Sequence, residues 1–329
     1  MEHIKSLQIK NFKGIKELEL KQLNLINFLV GESGSCKTTI LDAIRILENP
    51  TNIGRFADTI RIVERNKYIL SSFKELIHGK YSPTLNNKFE IFFNGNHLEF
   101  EVEFEKKNRV SIKLSDEDGN VTSSSETSSF PIFRLPTDKA FERRKNLKHE
   151  GIIVNTFSNK KDIDYEKVIN VPDVYKVILT ILQQTNSNIT QISISKKDKK
   201  VVVFDKALNK NIPIELMGKG ILGVVELLSF IVYSKGAVLL LEDWDNYFSK
   251  NTKKVLYPVV KKLIVDLNVQ VFFTTYSEET LLYMLDEKDP LIDKIMIYTL
   301  YKEGIDNYVR RLSGIDALKA STEYGLSLI

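Results

Sequence analysis

One segment near the N-terminus constrains the fold more than any other part of the chain. Residues 23–30 are mostly apolar (LNLINFLV), residues 31–39 read GESGSCKTT, and residues 38–47 repeat apolar side chains at helical spacing. This order predicts a buried strand, a glycine-rich turn and a helix. The backbone N–H groups of such a turn and the positive N-terminal end of the helix bind phosphate groups. The segment therefore predicts a phosphate-binding loop.

Individual residues of this loop have distinct predicted roles. Lys37 is expected to reach the β- and γ-phosphates of a nucleoside triphosphate, and the Thr38 hydroxyl is expected to ligate Mg²⁺. The other expected nucleotide contacts come from Gly31, Ser33, Gly34, Ser35, Cys36 and Thr39. The alternative is an ordinary turn, rich in glycine and serine, that happens to precede Lys37.

Cys36 departs from the usual pattern of such a loop, which has glycine at this position because the backbone approaches the phosphates closely. A Cβ atom and a sulfur here are expected to weaken phosphate binding or to distort the loop. Cys36 is also the only cysteine in the chain. Lys37 and the helix N-terminus could lower the pKa of its thiol and make it reactive. The alternative is a tolerated substitution with no redox role.

The bulk properties exclude several classes of protein. The chain has 329 residues, of which 43% are hydrophobic, so it can bury a large core as one α/β domain or two smaller ones. No apolar run approaches the roughly 18 residues that span a bilayer, and the first residues lack the apolar stretch of a signal peptide. This predicts a cytoplasmic protein with no membrane contact. One cysteine and four scattered histidines predict neither a disulfide framework nor a zinc site. The net charge of +4 neither requires nor excludes a nucleic-acid partner.

Alternating apolar residues predict several strands outside the phosphate-binding segment. Two lie at residues 4–10 and 15–20, and three more, at residues 89–93, 98–104 and 110–114, predict an antiparallel meander. The serine-rich residues 115–129 predict a loop or mobile segment. From about 136 to 190 the pattern becomes helical and includes four basic residues, Arg143, Arg144, Lys145 and Lys148.

A second candidate site segment lies in the C-terminal half. Residues 237–241 are uninterruptedly apolar and are followed by Glu242 and Asp243, as expected for a buried parallel strand that ends in a Walker B acidic pair. We assign Mg²⁺ to Glu242 and the general base to Asp243. The usual order is Asp then Glu, so the base here is one methylene shorter.

Two further segments flank this acidic pair. Gly218 and Gly220 precede an apolar helix at residues 221–233 and predict a second anion site, with an ordinary loop as the alternative. After a predicted helix at 252–267, the strand at residues 269–273 ends at Thr274-Thr275-Tyr276-Ser277. Tyr276 is a candidate catalytic residue that could sense the γ-phosphate as a hydrogen-bond donor but could not shuttle a proton near neutral pH.

Together these segments resemble the ABC-type ATPases of the SMC, RecF and OLD group, including the compact ATPase subunits of anti-phage systems. The resemblance rests on residues 9–14, 31–44, 216–220, 239–243 and 274–277, which occur in family order, whereas residues 50–205 match only in general layout. It implies an α/β fold of the P-loop NTPase class: an ABC-type ATPase head with an N-terminal antiparallel β-subdomain and an inserted helical lobe.

The resemblance also implies a division of the chain and a mode of assembly. Residues 1–130 would form the N-terminal half of the head, 131–195 the inserted helical lobe and 196–329 the C-terminal half. Two copies would sandwich two ATP molecules, with the signature glycines Gly218 and Gly220 facing the phosphate loop of the other subunit. Lys13 maps onto an early basic residue that contacts nucleotide in parts of the group.

Several features of the group are missing from the sequence. The signature serine and the Q-loop glutamine have no clear counterpart, Tyr276 stands where the group usually has histidine, and Trp244 replaces the proline that often follows the acidic pair. No heptad stretch is long enough for an SMC-like coiled coil, and one cysteine cannot form a zinc hook.

Three functional hypotheses follow. The first is a slow ATPase whose nucleotide-dependent dimerisation regulates a partner effector such as a nuclease or toxin, in phage defence or DNA repair. The second is a nucleotide-binding scaffold or sensor that does not hydrolyse ATP, which Cys36, the Glu-Asp order and Tyr276 favour. The third is a DNA-binding ATPase clamp that uses the four basic residues of the predicted lobe, with a solvated helix face as the alternative reading of those residues.

Overall fold

The computed structural model describes residues 3–48, 50, 63–64, 67–68, 76–78, 87–105, 109–115, 121–127, 154–156, 165–195, 200–245 and 248–329. The chain divides into two compact units. The first unit comprises Met1–Leu23, Leu29–Val154 and Tyr298–Arg311, and the second comprises Asn24–Phe28, Asn155–Ile297 and Leu312–Ile329. Each unit is therefore assembled from stretches that are far apart in sequence.

The strands and helices of the described residues have the following bounds. The strands are β1 (Leu7–Phe12), β2 (Ile15–Leu20), β3 (Ile26–Val30), β4 (Val63–Glu64), β5 (Lys67–Tyr68), β6 (Lys88–Phe93), β7 (Asn96–Glu105), β8 (Arg109–Ser115), β9 (Val121–Thr127), β10 (Val154–Thr156), β11 (Ile189–Ile194), β12 (Val201–Asp205), β13 (Lys210–Pro213), β14 (Val238–Leu241), β15 (Gln270–Thr275), β16 (Ile295–Glu303) and β17 (Asp306–Ser313). The α-helices are α1 (Lys37–Leu47), α2 (Tyr165–Ile169), α3 (Pro172–Thr185), α4 (Lys219–Tyr233), α5 (Lys250–Asp266), α6 (Glu278–Met284) and α7 (Gly314–Thr322), and short 3₁₀ turns occupy Ile214–Met217 and Pro290–Lys294.

The first unit contains an antiparallel sheet with the strand order β2-β1-β6-β7-β8-β9. Its core includes aromatic rings from three strands. Phe12 and Phe89 are tilted with 4.9 Å between centroids, and Phe89 and Phe100 are stacked at 4.7 Å. Full burial of one such ring contributes about 2–3 kcal/mol. The predicted pair of N-terminal strands and the predicted meander β6-β7-β8 are confirmed.

The prediction of a loop at residues 115–129 is wrong, because Val121–Thr127 forms strand β9. This strand pairs antiparallel with β8, from Val110 opposite Thr127 to Ser115 opposite Val121. It lies at the edge of the sheet. An edge strand satisfies its backbone hydrogen bonds through a single neighbour, and this pairing does not require apolar side chains.

A second sheet has the strand order β10-β14-β15-β3-β16-β17. In the second unit, β14 pairs parallel with β15 from Val238 opposite Gln270 to Leu241 opposite Phe273. The Val271 N–H also donates to the Leu25 carbonyl, with the nitrogen and oxygen 2.7 Å apart. All residues of β14 and β15 are buried. Strands with both faces covered read as continuous apolar runs, which explains the apolar sequence before the acidic pair.

Helices α3, α4 and α5 pack against one another in the second unit. The apolar face predicted for the helical region is buried on α3, where it consists of Val174, Val177, Ile178, Ile181 and Leu182. A three-stranded antiparallel sheet with the order β11-β12-β13 belongs to the same unit. The predicted boundaries of an inserted lobe at 131–195 stay a prediction, and its four basic residues, 143–145 and 148, lie outside the described residues.

Local capping explains where several helices begin. The Ser249 side chain accepts a hydrogen bond from the Thr252 N–H at the start of α5, and Ser277 does the same for Thr280 at the start of α6. Such caps contribute about 1 kcal/mol each. Within the described ranges, no helix combines the length and apolar character needed to cross a membrane.

Candidate functional site

The candidate residues fall into two groups, one in each unit. The first unit contains Lys13 and the phosphate loop at residues 31–39, and the second contains Gly218, Gly220, Glu242, Asp243 and Tyr276. The geometry within each group determines what that group can bind.

Gly31 directly follows β3 and allows the phosphate loop to begin where neighbouring atoms leave no space for a side chain. Its φ is +141°, and a Cβ atom added to it would lie 2.2 Å from the Leu300 carbonyl oxygen and 2.9 Å from the Ser35 hydroxyl oxygen. Real Cβ atoms do not approach backbone oxygens so closely. The loop can therefore pass β16 at this point only because residue 31 has no side chain.

The Lys37 ammonium lies inside the loop, with the whole side chain only 4% exposed. Its Nζ donates to the Gly31 carbonyl at 2.7 Å, to the Glu32 carbonyl at 2.8 Å and to the Ser35 hydroxyl at 3.3 Å. These contacts hold a positive charge against the loop backbone. This is the electrostatic environment that a phosphate-binding loop requires.

Cys36 occupies the position just before α1, with φ 70° and ψ 15°. This left-handed conformation costs an L residue about 1–2 kcal/mol and is reached freely by glycine, which explains the glycine of the usual pattern. The sulfur lies 3.4 Å from the Gly14 carbonyl oxygen and 3.4 Å from Nδ2 of Asn307. The Cys36 side chain is thus accommodated by the β1–β2 turn and by β17.

Burial raises the pKa of the Cys36 thiol above its ordinary value, and the opposing effects of Lys302, Asn307 and Lys37 are smaller. The expectation that the pKa of this thiol is lowered overall is therefore wrong. The reason is that desolvation of the thiolate outweighs the attraction of the nearby positive groups.

The N-terminal end of α1 has the features of an anion-binding site. Among the residues that the structure describes, no side chain caps this helix, and its first turn, which includes Thr38 and Thr39, contains no acidic residue. Ser33 and Gly34 are exposed, and Gly34 has φ +83°. Uncapped N–H groups at the positive end of a helix, beside the Lys37 ammonium, match the donor set that a triphosphate needs. The residues of this loop are therefore chemically suited to hold phosphate groups.

Lys13 has a partner that sequence reasoning missed. Its Nζ lies 2.7 Å from Oδ2 of Asp42 on α1, while Nη1 of Arg45 lies 3.1 Å from Oδ1 of the same carboxylate. The Asp42 side chain is 0% exposed. The pair ties the turn between β1 and β2 to the helix of the phosphate loop. The predicted contact between Lys13 and a nucleotide stays a prediction.

The acidic pair follows the carboxyl end of β14, as predicted. Asp243 has φ +46°, which is uncommon for a residue with a side chain. Its N–H donates to the Thr274 hydroxyl at 2.9 Å, and that hydroxyl donates to Oδ1 of Asp243 at 3.3 Å. Residues at the end of β15 therefore determine the conformation of the predicted base.

A third acid, Asp245, was not singled out from the sequence. It is 3% exposed, and its Oδ2 accepts hydrogen bonds from the hydroxyls of Thr275 and Thr280. Lys253 lies 3.9 Å from the same oxygen and donates to the Thr280 hydroxyl at 2.9 Å. The sequence signal for this network is the pair of threonines that ends a buried strand next to the acids.

Trp244 separates Asp243 from Asp245 and lies in an aromatic cluster. Its ring centroid is 4.7 Å from that of Phe273, 5.1 Å from Tyr257 and 5.8 Å from Phe248. The tryptophan that replaces the usual proline is thus a core residue, which fixes the path of the chain between the two acids.

Tyr276 lies close enough to the acidic pair to be affected by its charge. The pKa of its phenol is raised by burial first and then by the negative charges of Asp243 and Glu242. The side chain is nevertheless 49% exposed. Tyr276 therefore remains protonated at neutral pH and can donate a hydrogen bond. Its predicted role as a sensor of the γ-phosphate stays a prediction.

The two signature glycines lie at the start of α4. Gly218 is the N-cap residue with φ +98°, and Gly220 lies in the first turn. Leu216, two residues earlier, is 74% exposed. The role of Gly218 and Gly220 as an anion site stays a prediction.

Comparison with known sequences finds short matches. No family model matches the chain. It is 35% identical to the DNA replication and repair protein RecF of Clostridioides difficile (strain 630) over 81 residues, which are 24% of this chain and 21% of RecF. It is 42% identical over 43 residues to the uncharacterized protein MJECL10 of Methanocaldococcus jannaschii, covering 13% of this chain and 20% of that protein. The matched segments thus span about a fifth of each relative.

Comparison with solved structures covers nearly the whole chain. An SMC head bound to the C-winged helix domain of ScpA superimposes with a TM-score of 0.54 and 14% identity, covering 95% of this chain and 98% of that one. A second SMC head with an extended coiled coil, bound to the C-terminal domain of ScpA and derived from Pyrococcus furiosus, gives 0.55 and 13%, covering 98% and 100%. The chain has the SMC head-domain fold. The predicted fold class and the resemblance to the SMC and RecF group are confirmed at this level.

Proposed function

We propose that this chain is an ATP-binding, slowly ATP-hydrolysing enzyme of the ABC type. The observation that carries the proposal is the loop after β3, in which Gly31 permits a close backbone approach and Lys37 holds a buried ammonium against the loop carbonyls. In this proposal Lys37 neutralises the β- and γ-phosphates, and Gly31, Ser33, Gly34, Ser35, Cys36, Lys37, Thr38 and Thr39 line the triphosphate, mostly through backbone N–H groups.

The acids after β14 supply the proposed chemistry. Thr38 and Glu242 would hold Mg²⁺, which supplies positive charge for the phosphate oxygens as they become more negative. A water oxygen bonds to the γ-phosphorus, the bond from that phosphorus to the bridging oxygen breaks to leave ADP, and Asp243 accepts the proton of the water. Tyr276 donates a hydrogen bond to a γ-phosphate oxygen.

We further propose that ATP promotes pairing of two heads, in which Gly218 and Gly220 of each copy face the phosphate loop of the other. A nucleotide that adds contacts only in the paired state shifts the equilibrium toward that state. The two SMC head structures are each bound to a ScpA domain, which supports a protein partner for this head too. An effector such as a nuclease or toxin, in phage defence or in DNA repair, is the partner class that we propose.

Phosphate release over hours tests the enzymatic part of the proposal. Lys37→Ala is expected to lose both ATP binding and release, whereas Asp243→Asn is expected to keep binding and to lose at least about 99% of release. Lys254→Ala and Asp293→Asn, which change exposed charges of the second unit, are matched controls that should behave as wild type. Release by wild type that survives Asp243→Asn would refute the assigned base.

The rival function is a scaffold that binds ATP without turnover, which the strained Cys36 and the short base Asp243 favour. It predicts tight ATP binding and no phosphate release from wild type. Sedimentation velocity tests the pairing under either function: Asp243→Asn with ATP and Mg²⁺ should sediment as a dimer and Lys37→Ala as a monomer. A monomer in both cases would refute nucleotide-dependent pairing.

A further inference from the structure

Two adjacent buried threonines end β15, and each contacts a different acid of the loop that follows β14. Thr274 and Thr275 are each 1% exposed. Successive side chains of a strand point to opposite faces, so the two hydroxyls act on different sides of the sheet. Thr274 bonds to Asp243 and Thr275 bonds to Asp245. The end of β15 thus holds the acidic loop at two points.

The contact between Thr274 and Asp243 is reciprocal. A hydroxyl has one donor hydrogen and two acceptor lone pairs, so Thr274 Oγ1 can accept from the Asp243 N–H and donate to its Oδ1 at the same time. The first bond fixes the backbone of residue 243 and the second fixes its carboxylate. A backbone conformation with φ +46° is uncommon for aspartate, and it persists only where contacts with surrounding residues stabilise it.

The second contact anchors the same loop two residues later. Asp245 accepts from Thr275 and Thr280 and lies near Lys253, so this buried carboxylate has hydrogen-bond donors and a positive charge beside it. Buried polar networks that are satisfied in this way restrict movement. With Asp245 anchored to α5 and α6, the conformation of Asp243 depends on its own contacts, and Thr274 supplies two hydrogen bonds to this residue.

We propose that Thr274 is a positioning residue for hydrolysis, whose hydroxyl holds the Asp243 carboxylate in the orientation that accepts the proton of the attacking water. The inference rests on the function proposed above and assigns a residue to it that the sequence motifs do not include. Thr274 touches neither nucleotide nor water in this proposal, so it acts only through Asp243. Its loss should lower kcat and leave ATP affinity unchanged.

The test compares three substitutions at this position. Thr274→Val keeps the shape of the side chain and removes the hydroxyl, Thr274→Ser keeps the hydroxyl, and Thr274→Ala is a second hydroxyl-free variant in case valine disturbs packing. Ser229→Ala is the matched control, because it removes another fully buried hydroxyl, which donates to the Val225 carbonyl one turn earlier on α4. Melting temperatures establish that the four variants fold.

Calorimetry with ATP and Mg²⁺, and phosphate release at saturating ATP, give the first readout. Thr274→Val and Thr274→Ala should lower kcat by roughly tenfold or more, as expected when a pair of hydrogen bonds is lost. Their Kd for ATP should stay within about twofold of wild type, and Thr274→Ser should restore kcat to within roughly threefold. Equal kcat values for Thr274→Val, Ser229→Ala and wild type would overturn the proposal.

Amide hydrogen exchange of Asp243, followed by NMR, gives a readout that does not depend on turnover. Loss of the Thr274 acceptor should accelerate exchange of this amide by roughly tenfold, and Thr274→Ser and Ser229→Ala should not. If wild type binds ATP but releases no phosphate, the proposed hydrolysis fails, and the exchange result still decides whether Thr274 holds Asp243. An unchanged Asp243 amide in Thr274→Val would refute that role.

Discussion

Gly31 and Gly34 offer a matched pair of substitutions that tests how the phosphate loop is built. Both glycines have positive φ, +141° and +83°, so changing either to alanine carries a conformational cost of about 1–2 kcal/mol. The two sites differ in the space available. A Cβ on Gly34 meets no atom of the described residues within 4 Å, whereas a Cβ on Gly31 would lie 2.2 Å from the Leu300 carbonyl oxygen.

The distances set the expected difference in stability. Ordinary contact for a Cβ begins near 3.4 Å, so Gly31→Ala requires the backbone of residue 31 or of β16 to move by more than 1 Å. Forced overpacking of this kind costs about 1–3 kcal/mol beyond the conformational cost. We therefore expect Gly31→Ala to lower the free energy of unfolding by about 2–5 kcal/mol and Gly34→Ala by about 1–2 kcal/mol.

Urea denaturation followed by far-UV circular dichroism measures both variants against wild type. The midpoint for Gly31→Ala should fall clearly below that for Gly34→Ala, and its ATP binding should be lost even where the chain remains folded. Equal midpoints for the two variants would show that β3 and β16 do not approach each other as described.

Three further predictions concern other groups. Because burial raises the pKa of the Cys36 thiol, iodoacetamide should alkylate it more slowly at pH 7.5 than a free cysteine, with a rate that keeps rising beyond about pH 9; a rate that levels off below about pH 8 would contradict this. Asp42→Asn should lower the free energy of unfolding in urea by about 2–4 kcal/mol, because it leaves two partly buried cations without their carboxylate. Lys13→Ala should lower it by only about 1–2 kcal/mol, because Arg45 still pairs with Asp42. Equal losses for the two variants would refute the sharing of Asp42 by Lys13 and Arg45. Hydrogen bonds from the Leu208 and Ala207 N–H groups and from Asn186 hold the pKa of Asp205 below its ordinary value, so its stabilising effect is present above about pH 4 and is lost as pH falls through the lowered pKa. Thermal melts of Asp205→Asn should accordingly differ from wild type at pH 7, and the difference should shrink as pH falls below about 4; a difference that stays constant would contradict the assignment.

Much of the fold is local in origin and could be predicted. The strands β1, β2 and β6 to β8 alternate apolar and polar residues, and helix α3 carries its apolar residues on one face. Strand β9 could not be predicted in this way, because its serine-rich sequence has almost no apolar signal. Its pairing with β8 depends on backbone hydrogen bonds, which the pattern of side chains does not predict.

In the candidate site, too, the features encoded by neighbouring residues could be predicted, and those that depend on remote residues could not. The order strand, glycine-rich turn and helix identifies the loop at 31–39 because each element is encoded by neighbouring residues. The collision that makes Gly31 necessary involves Leu300, which is remote in sequence. The direction of the Cys36 pKa shift depends on burial by the β1–β2 turn and β17, and the sequence showed only the adjacent positive groups.

The acidic loop shows a further limit of sequence reasoning. Glu242 and Asp243 were recognisable because two acids follow an apolar strand. The left-handed backbone of Asp243 and its bonds to Thr274 arise from a parallel neighbour, β15, whose register with β14 places those residues side by side. Distant segments that meet only after folding therefore determine the details of the candidate catalytic residues.

Titration calorimetry with ATP and Mg²⁺ tests the central claim most directly, since the claim is that the loop after Val30 binds a triphosphate. Wild type is expected to bind one ATP per chain, Lys37→Ala is expected to give no binding heat, and Lys254→Ala is expected to bind as wild type does. Absence of heat from wild type, or equal binding by wild type and Lys37→Ala, would contradict the account.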